Sequence, residues 1–187
     1  MKKTRAFLSL NLDDPLKIKI AEIQKELQKS LSGHLVKWEH PEKFHITVRF
    51  LGDVEDIVLS GIIKDFEKVK FGFSHLNFHS NGIGCFPGMR RPNVIFAGLE
   101  EAGSSSVIMV DEIDKVIKDA GIIPDKKFVA HITLGRFRRE NKKGVEDKDL
   151  FYYEPFEVSF DSFYLMESRL DSRGSHYYPI KKFYFSN

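Results

Sequence analysis

One three-residue phrase occurs twice in this chain: His45-Ile46-Thr47 inside KFHITVRFLG, and His131-Ile132-Thr133 inside KFVAHITLGRF. The chain has seven His and three Thr (Thr4, Thr47 and Thr133), so two of its three Thr stand two places after a His. Each copy lies in a β-branched, aromatic-rich run of strand character, where residues i and i+2 share a face. His and Thr of each copy therefore project together, while Ile46 and Val48, or Ile132 and Leu134, point back into a core. The fold has to accommodate two such strands far apart in sequence. Two imidazoles and two hydroxyls meeting across a cleft would form an acid/base pair with a seat for an anion.

The segments around the two motifs alternate between strand and helix. Thr4 to Leu12 reads as a strand, and Asp13-Asp14-Pro15 as a cap and first turn for a helix carried by Leu16, Ile20, Ile23, Leu27 and Leu31. A short extended piece from Leu35 to Trp38 leads to the first motif strand, Phe44 to Leu51. A second helix follows on Val58, Ile62, Phe66 and Val69, then a strand from Phe71 to His79. Asn81 to Gly88 reads as a turn-rich bridge and Pro92 to Leu99 as a strand. A third helix is carried by Val110, Ile113, Ile117 and Ala120 and stops at Gly121. After the second motif strand, Phe128 to Phe137, comes an irregular charged stretch to Tyr153. Two strands, Phe156 to Glu167 and Tyr177 to Phe185, close the chain around the turn Asp171-Ser172-Arg173-Gly174. This order predicts an α+β fold, helices outside antiparallel sheets, with the two motif strands related by a pseudo-twofold.

Length and composition narrow the class. The 187 residues fit a single two-lobed domain over 1–187, large enough for a real core. A net charge of +2 does not by itself announce a nucleic-acid binder, so local clusters matter more: Arg90-Arg91, Lys126-Lys127, and Arg136 to Lys143 flank the motifs. The lone Cys85 excludes an intrachain disulfide and a cysteine-rich metal site. No apolar run approaches a membrane span, and the N-terminal stretch alternates like a strand rather than forming a signal segment, so a cytoplasmic protein is expected.

Histidine titrates near neutrality, so one imidazole can accept a proton while another donates one at the same pH. An in-line displacement at phosphorus needs that opposition: a base beside the entering water and an acid beside the leaving oxygen. Thr hydroxyls and an Arg fork can hold the non-bridging oxygens. Strand parity selects Arg49, two places after Thr47, and disfavours Arg136 unless Gly135 permits a bulge that turns it inward.

At these residues the chain resembles the two-histidine phosphoesterases, and within them the RNA 2′,3′-cyclic phosphodiesterases, also called the 2′-5′ RNA ligase family. The likeness includes RAFLSL at 5–10, Trp38 before FHITVRFLG, RPNVIFAGL at 91–99, AHITLGR at 130–136 and LMESRLDSRGSHYYPI at 165–180. It implies a bilobal fold of two antiparallel sheets around a central cleft, with no metal and no other cofactor. It implies that His45 protonates the leaving 3′ oxygen, that His131 activates water, and that Thr47, Thr133 and Arg136 hold the phosphate, leaving a 2′-phosphate. The partner it implies is RNA ending in a 2′,3′-cyclic phosphate, tRNA fragments among such RNAs; a monomer without protein or membrane partners is expected. Ala130, where the family commonly has Pro, and Val48, where it commonly has Leu, remove no chemical group.

Arg136 is preferred at the reacting phosphate, with Arg49 assigned to more distant RNA phosphates and Tyr177 to stacking on a nucleobase. A zinc site drawn from His45, His131 and His176 has no acid at a recognised ligand spacing. Two alternatives stay open: ATP-independent 2′-5′ joining of RNA ends, the reverse reaction, and an RNA-end-binding module without chemistry.

Overall fold

The computed structural model describes residues 2–124, 126–172 and 174–186. Among the described residues nine strands form two antiparallel sheets. The first joins β1 (Lys3–Asn11), β3 (His45–Glu55), β8 (Ser162–Asp171) and β9 (Gly174–Tyr184) in the order β3-β1-β8-β9. The second joins β2 (Val36–Trp38), β4 (Leu76–Phe86), β5 (Val94–Glu101), β6 (His131–Phe137) and β7 (Glu157–Phe160) in the order β2-β6-β5-β4-β7. The α+β, two-sheet expectation holds, and each sheet contains one motif strand.

Among the described residues three α-helices flank these sheets. In α1 (Asp14–Ser30) the Asp13 carboxylate accepts the Leu16 N–H at 2.9 Å, and Leu16, Ile20, Ile23 and Leu27 are buried at helical spacing. In α2 (Asp56–Phe66), Leu59, Ile62 and Phe66 are buried. Phe66 sits edge-on to Phe163 at 5.3 Å, which in turn stacks on Phe183 at 5.0 Å, fastening the helix to the first sheet. In α3 (Ser105–Asp119), Met109, Val110, Ile113 and Ile117 are buried, and Gly121, at φ 80°, ends the helical run. No helix among the described residues is long and apolar enough to cross a membrane.

Two segments differ from the sequence reading. The bridge from Asn81 is strand as far as Phe86: Gly82, at φ 70°, takes the irregularity where the β4–β5 register shifts between Ser80 and Ile83, so glycines that look like turn punctuation lie within a long ladder, whose strand begins only at Leu76. The run Phe156 to Glu167 is two strands, broken at Asp161, with β7 pairing to β4 in one sheet and β8 to β1 in the other. A continuous apolar alternation carries no mark of which sheet each half joins. Arg173, in the closing turn, lies outside the described residues.

Candidate active site

Both motif strands carry an extra residue at the same place in the motif, and β3 a second one at Leu51; the two matching bulges decide what faces the cleft. Along the β1–β3 ladder Ser9 pairs with Thr47 and Leu8 with Arg49, which leaves Val48 unopposed. Along β5–β6, Phe96 pairs with Thr133 and Ile95 with Gly135, which leaves Leu134 unopposed. Val48 and Leu134 occupy the same place in the two motifs. A bulge reverses side-chain parity beyond it. After Leu134, Arg136 therefore returns to the face of His131 and Thr133, the inward turn expected from Gly135. A side chain at Gly135 itself would collide with β2, since a Cβ there would lie 2.8 Å from Val36 Cγ1.

The same device overturns the placement of Arg49. Parity alone put it beside His45 and Thr47; the bulge turns it to the opposite side, where it is 6% exposed. Its Nε and Nη2 donate to the two carboxylate oxygens of Asp114 on α3, at 2.7 and 3.0 Å, and its Nη1 donates to the Val48 carbonyl at 2.9 Å. Its guanidinium is thus committed to Asp114 and the Val48 carbonyl, although the residue still borders the cavity on the His131 side. The residue that returns to the cleft face instead is Phe50, 58% exposed, five places after His45 as Arg136 is five after His131. The sequence reading missed Phe50, although the equal spacing was there to find.

The two imidazoles are held alike. His45 Nδ1 donates to the Lys43 carbonyl at 2.6 Å, and His131 Nδ1 to the Val129 carbonyl at 2.7 Å. A carbonyl can only accept, so Nδ1 carries the proton and Nε2 of each neutral ring is left to act. The Thr47 hydroxyl lies 3.0 Å from His45 Nε2 and can donate to it. Each ring also has two aromatic neighbours: Phe7 and Tyr177 about His45, with centroids at 5.2 and 5.3 Å, and Phe86 and Phe96 about His131, at 5.0 and 5.3 Å. Tyr177 thus walls the His45 ring, and burial, its largest influence, pushes its phenol above the usual range.

Burial lowers both histidines below the ordinary imidazole value, against the opposing pull of the backbone carbonyls. The charges of His131 and Arg136 lower His45 further, and Arg136 does the same to His131. The effect of His131 and Arg136 on His45 comes from the two strands facing each other across the cleft. Thr47, Phe50, Thr133 and Arg136 line a shared centre. From it a cavity of about 200 Å³ extends on the His45 side, adding Arg5, Lys43 and Tyr177, and one of about 520 Å³ extends on the His131 side, adding Phe86, Asn93 and Phe128. Of the sequence-derived candidates, the structure brings together His45, His131, Thr47, Thr133, Arg136 and Tyr177, while Arg49 borders the His131-side cavity with its guanidinium turned to Asp114. Among the described residues no three His, Cys, Asp or Glu side chains are grouped to hold a metal ion, and His176 instead faces Asp171 at 3.2 Å.

Comparison with known proteins agrees with this geometry. The chain is 33% identical to an RNA 2′,3′-cyclic phosphodiesterase of Archaeoglobus fulgidus over 96% of its length and 99% of the relative's. It is 28% identical to the enzyme of the same name from Aquifex aeolicus, over 98% of each chain. Among solved structures, a protein of Thermus thermophilus, TT0787, superposes with a TM-score of 0.76 at 22% identity over 97% of both chains. Escherichia coli LigT in apo form superposes with a TM-score of 0.72 at 16% identity over the full length of both. The family described as LigT like Phosphoesterase matches residues 10–96 and 107–177, segments that contain both His-x-Thr strands. With a match of this extent and paired motifs at its centre, the chain belongs to the LigT-like phosphoesterases.

Proposed function

We propose that this protein is an RNA 2′,3′-cyclic phosphodiesterase that opens terminal cyclic phosphates to 2′-phosphates. The carrying observation is the pair of Nδ1-anchored imidazoles on facing strands, with Thr47, Thr133 and Arg136 between them. The curated relatives of that name support the substrate class.

In this reading the cyclic phosphate sits against Thr47, Thr133 and Arg136, whose hydrogen bonds and charge meet the non-bridging oxygens. His131 Nε2 takes a proton from water as its oxygen bonds to phosphorus. The bond from phosphorus to the 3′ oxygen breaks, and that oxygen takes the proton of His45 Nε2. The order of roles is the one the family resemblance implies. His45 must be protonated and His131 neutral for this step, and the bound phosphate anion restores to His45 the proton affinity that burial removes. Phe50 and Tyr177 offer flat surfaces for the terminal nucleoside.

The test is turnover of a short oligoribonucleotide with a 2′,3′-cyclic phosphate end, followed by phosphorus NMR. A 2′-phosphomonoester is the expected product; a 3′-phosphate, or no turnover, refutes the reading. One observation favours a second activity of the same site: the cavity of about 520 Å³ on the side of the water-activating His131 far exceeds the ~30 Å³ of a water molecule. A 5′-hydroxyl RNA end there would supply an alcohol in place of water and form a 2′-5′ linkage. Adding a 5′-hydroxyl oligonucleotide to the same assay reads this directly as a longer product.

A further inference from the structure

The two matching bulges that choose the cleft-facing side chains are each tied to a helix from the other half of the chain, one directly through Gln24 and the other through the buried Arg49 and its partner Asp114. In the second half, the carbonyl of the extra residue Leu134 accepts the Glu39 N–H at 2.9 Å and Gln24 Nε2 at 2.8 Å. Gln24 is on α1, which follows β1 of the opposite sheet. It is 4% exposed, in the apolar stripe of Leu16, Ile20, Ile23 and Leu27, and its amide also donates to the Glu39 carbonyl at 2.7 Å. In the first half, the Val48 carbonyl accepts Arg49 Nη1, and Arg49 is gripped by Asp114 on α3, which follows β5.

Neither group is one that core packing would select. A buried amide gains little over an apolar side chain of similar shape, and a buried ion pair is weak evidence for stability. What both provide is register. Were the extra residue absorbed into regular pairing, every side chain beyond it would change face, and the cleft would receive Gly135 in place of Arg136.

We propose that Gln24 and the Arg49–Asp114 pair are positioning residues that pin the two bulges, so that the phosphate seat receives one arginine, Arg136, and an aromatic ring, Phe50, opposite it. The two motifs are near-repeats with an arginine at different offsets, His45 to Arg49 and His131 to Arg136. Pinning each bulge from the far half of the chain makes the seat's composition depend on the docking of both halves. The effect on turnover rests on the phosphodiesterase reading, whereas the structural part does not.

Gln24→Leu keeps the volume and removes the donor. Turnover of a cyclic-phosphate oligonucleotide should fall by ~10- to 100-fold, the scale of a misplaced reacting contact. In an Arg136→Ala background the same substitution should have no further effect, because it acts through that arginine. Its pH profile should move with that of Arg136→Ala: without the guanidinium charge the alkaline limb of kcat/KM shifts to higher pH, which general destabilisation would not cause. Full activity in Gln24→Leu, or losses that multiply with Arg136→Ala, would overturn the proposal. For the first bulge, the apolar pair Arg49→Met with Asp114→Leu avoids stranding a buried charge, and should lower kcat while the protein stays folded. If the wild type fails to turn over cyclic phosphates, the functional reading falls alone. The pin is then judged by a crystal structure of Gln24→Leu: Arg136 turned away from the cleft supports it, and Arg136 unmoved overturns it.

Discussion

Replacing Gly135 by alanine probes the tightest seam behind the site. A Cβ at this position would lie 2.8 Å from Val36 Cγ1, 3.1 Å from Trp38 Cε3 and 3.3 Å from the Lys37 carbonyl oxygen. Val36 is β-branched and stiff at χ1, and the Lys37 carbonyl belongs to the backbone of β2, so β2 has to move. Overpacking of this kind costs about 1–3 kcal/mol. In a chain of this size each kcal/mol lowers Tm by ~2–4 °C, which gives a fall of roughly 2–12 °C. Catalysis should suffer too, since Gly135 is flanked by the bulge and by Arg136; a displacement of ~1 Å at a reacting contact can cost ~10²-fold in rate. Gly61→Ala is the control: nothing lies within 4 Å of its Cβ position in α2, so it should stabilise by about 0.5–1 kcal/mol and leave kcat alone. Thermal unfolding followed by circular dichroism, with kcat on a cyclic nucleotide, measures both effects. If Gly135→Ala melts with the wild type and keeps its kcat, the crowding of β2 against β6 is not what holds Arg136.

His45→Ala and His131→Ala should each lower kcat by ~10² or more while phosphate binding survives much better, since each removes a positioned proton donor or acceptor; near-full kcat in either would refute the assignment. Both imidazoles are lowered from 6.5, and the free enzyme needs one of them protonated, so the alkaline limb of kcat/KM should lie below pH 6.5. A bound anion raises the proton affinity of the acid, so the alkaline limb of kcat should lie at higher pH than that of kcat/KM; coincident limbs would count against His45 as the acid. Activity should persist in excess chelator, and loss of turnover restored by one divalent ion would favour a metal-assisted reaction instead.

The sequence by itself determined the parts that are local. Period-2 alternation put His45 with Thr47 and His131 with Thr133, 3.6-residue spacing drew the three helices, and Asp13 marked the start of the first. These patterns reflect which face of one element is buried, and the chain carries that information residue by residue. Pairing between strands decided the rest. Whether Arg49 or Arg136 reaches the phosphate seat depends on the unopposed residue just after the Thr of each motif, and a bulge exists only relative to the neighbouring strand. Both extra residues, Val48 and Leu134, are ordinary apolar strand formers with nothing in their identity to signal the insertion. The division of Phe156 to Glu167 between two sheets and the absorption of Asn81 to Phe86 into β4 were decided in the same way. The difference between Arg49 and Gly135 at matching positions is also tertiary: β3 is a sheet edge with α3 in reach, so a long side chain finds Asp114, whereas β6 has β2 beside it and leaves room only for hydrogen.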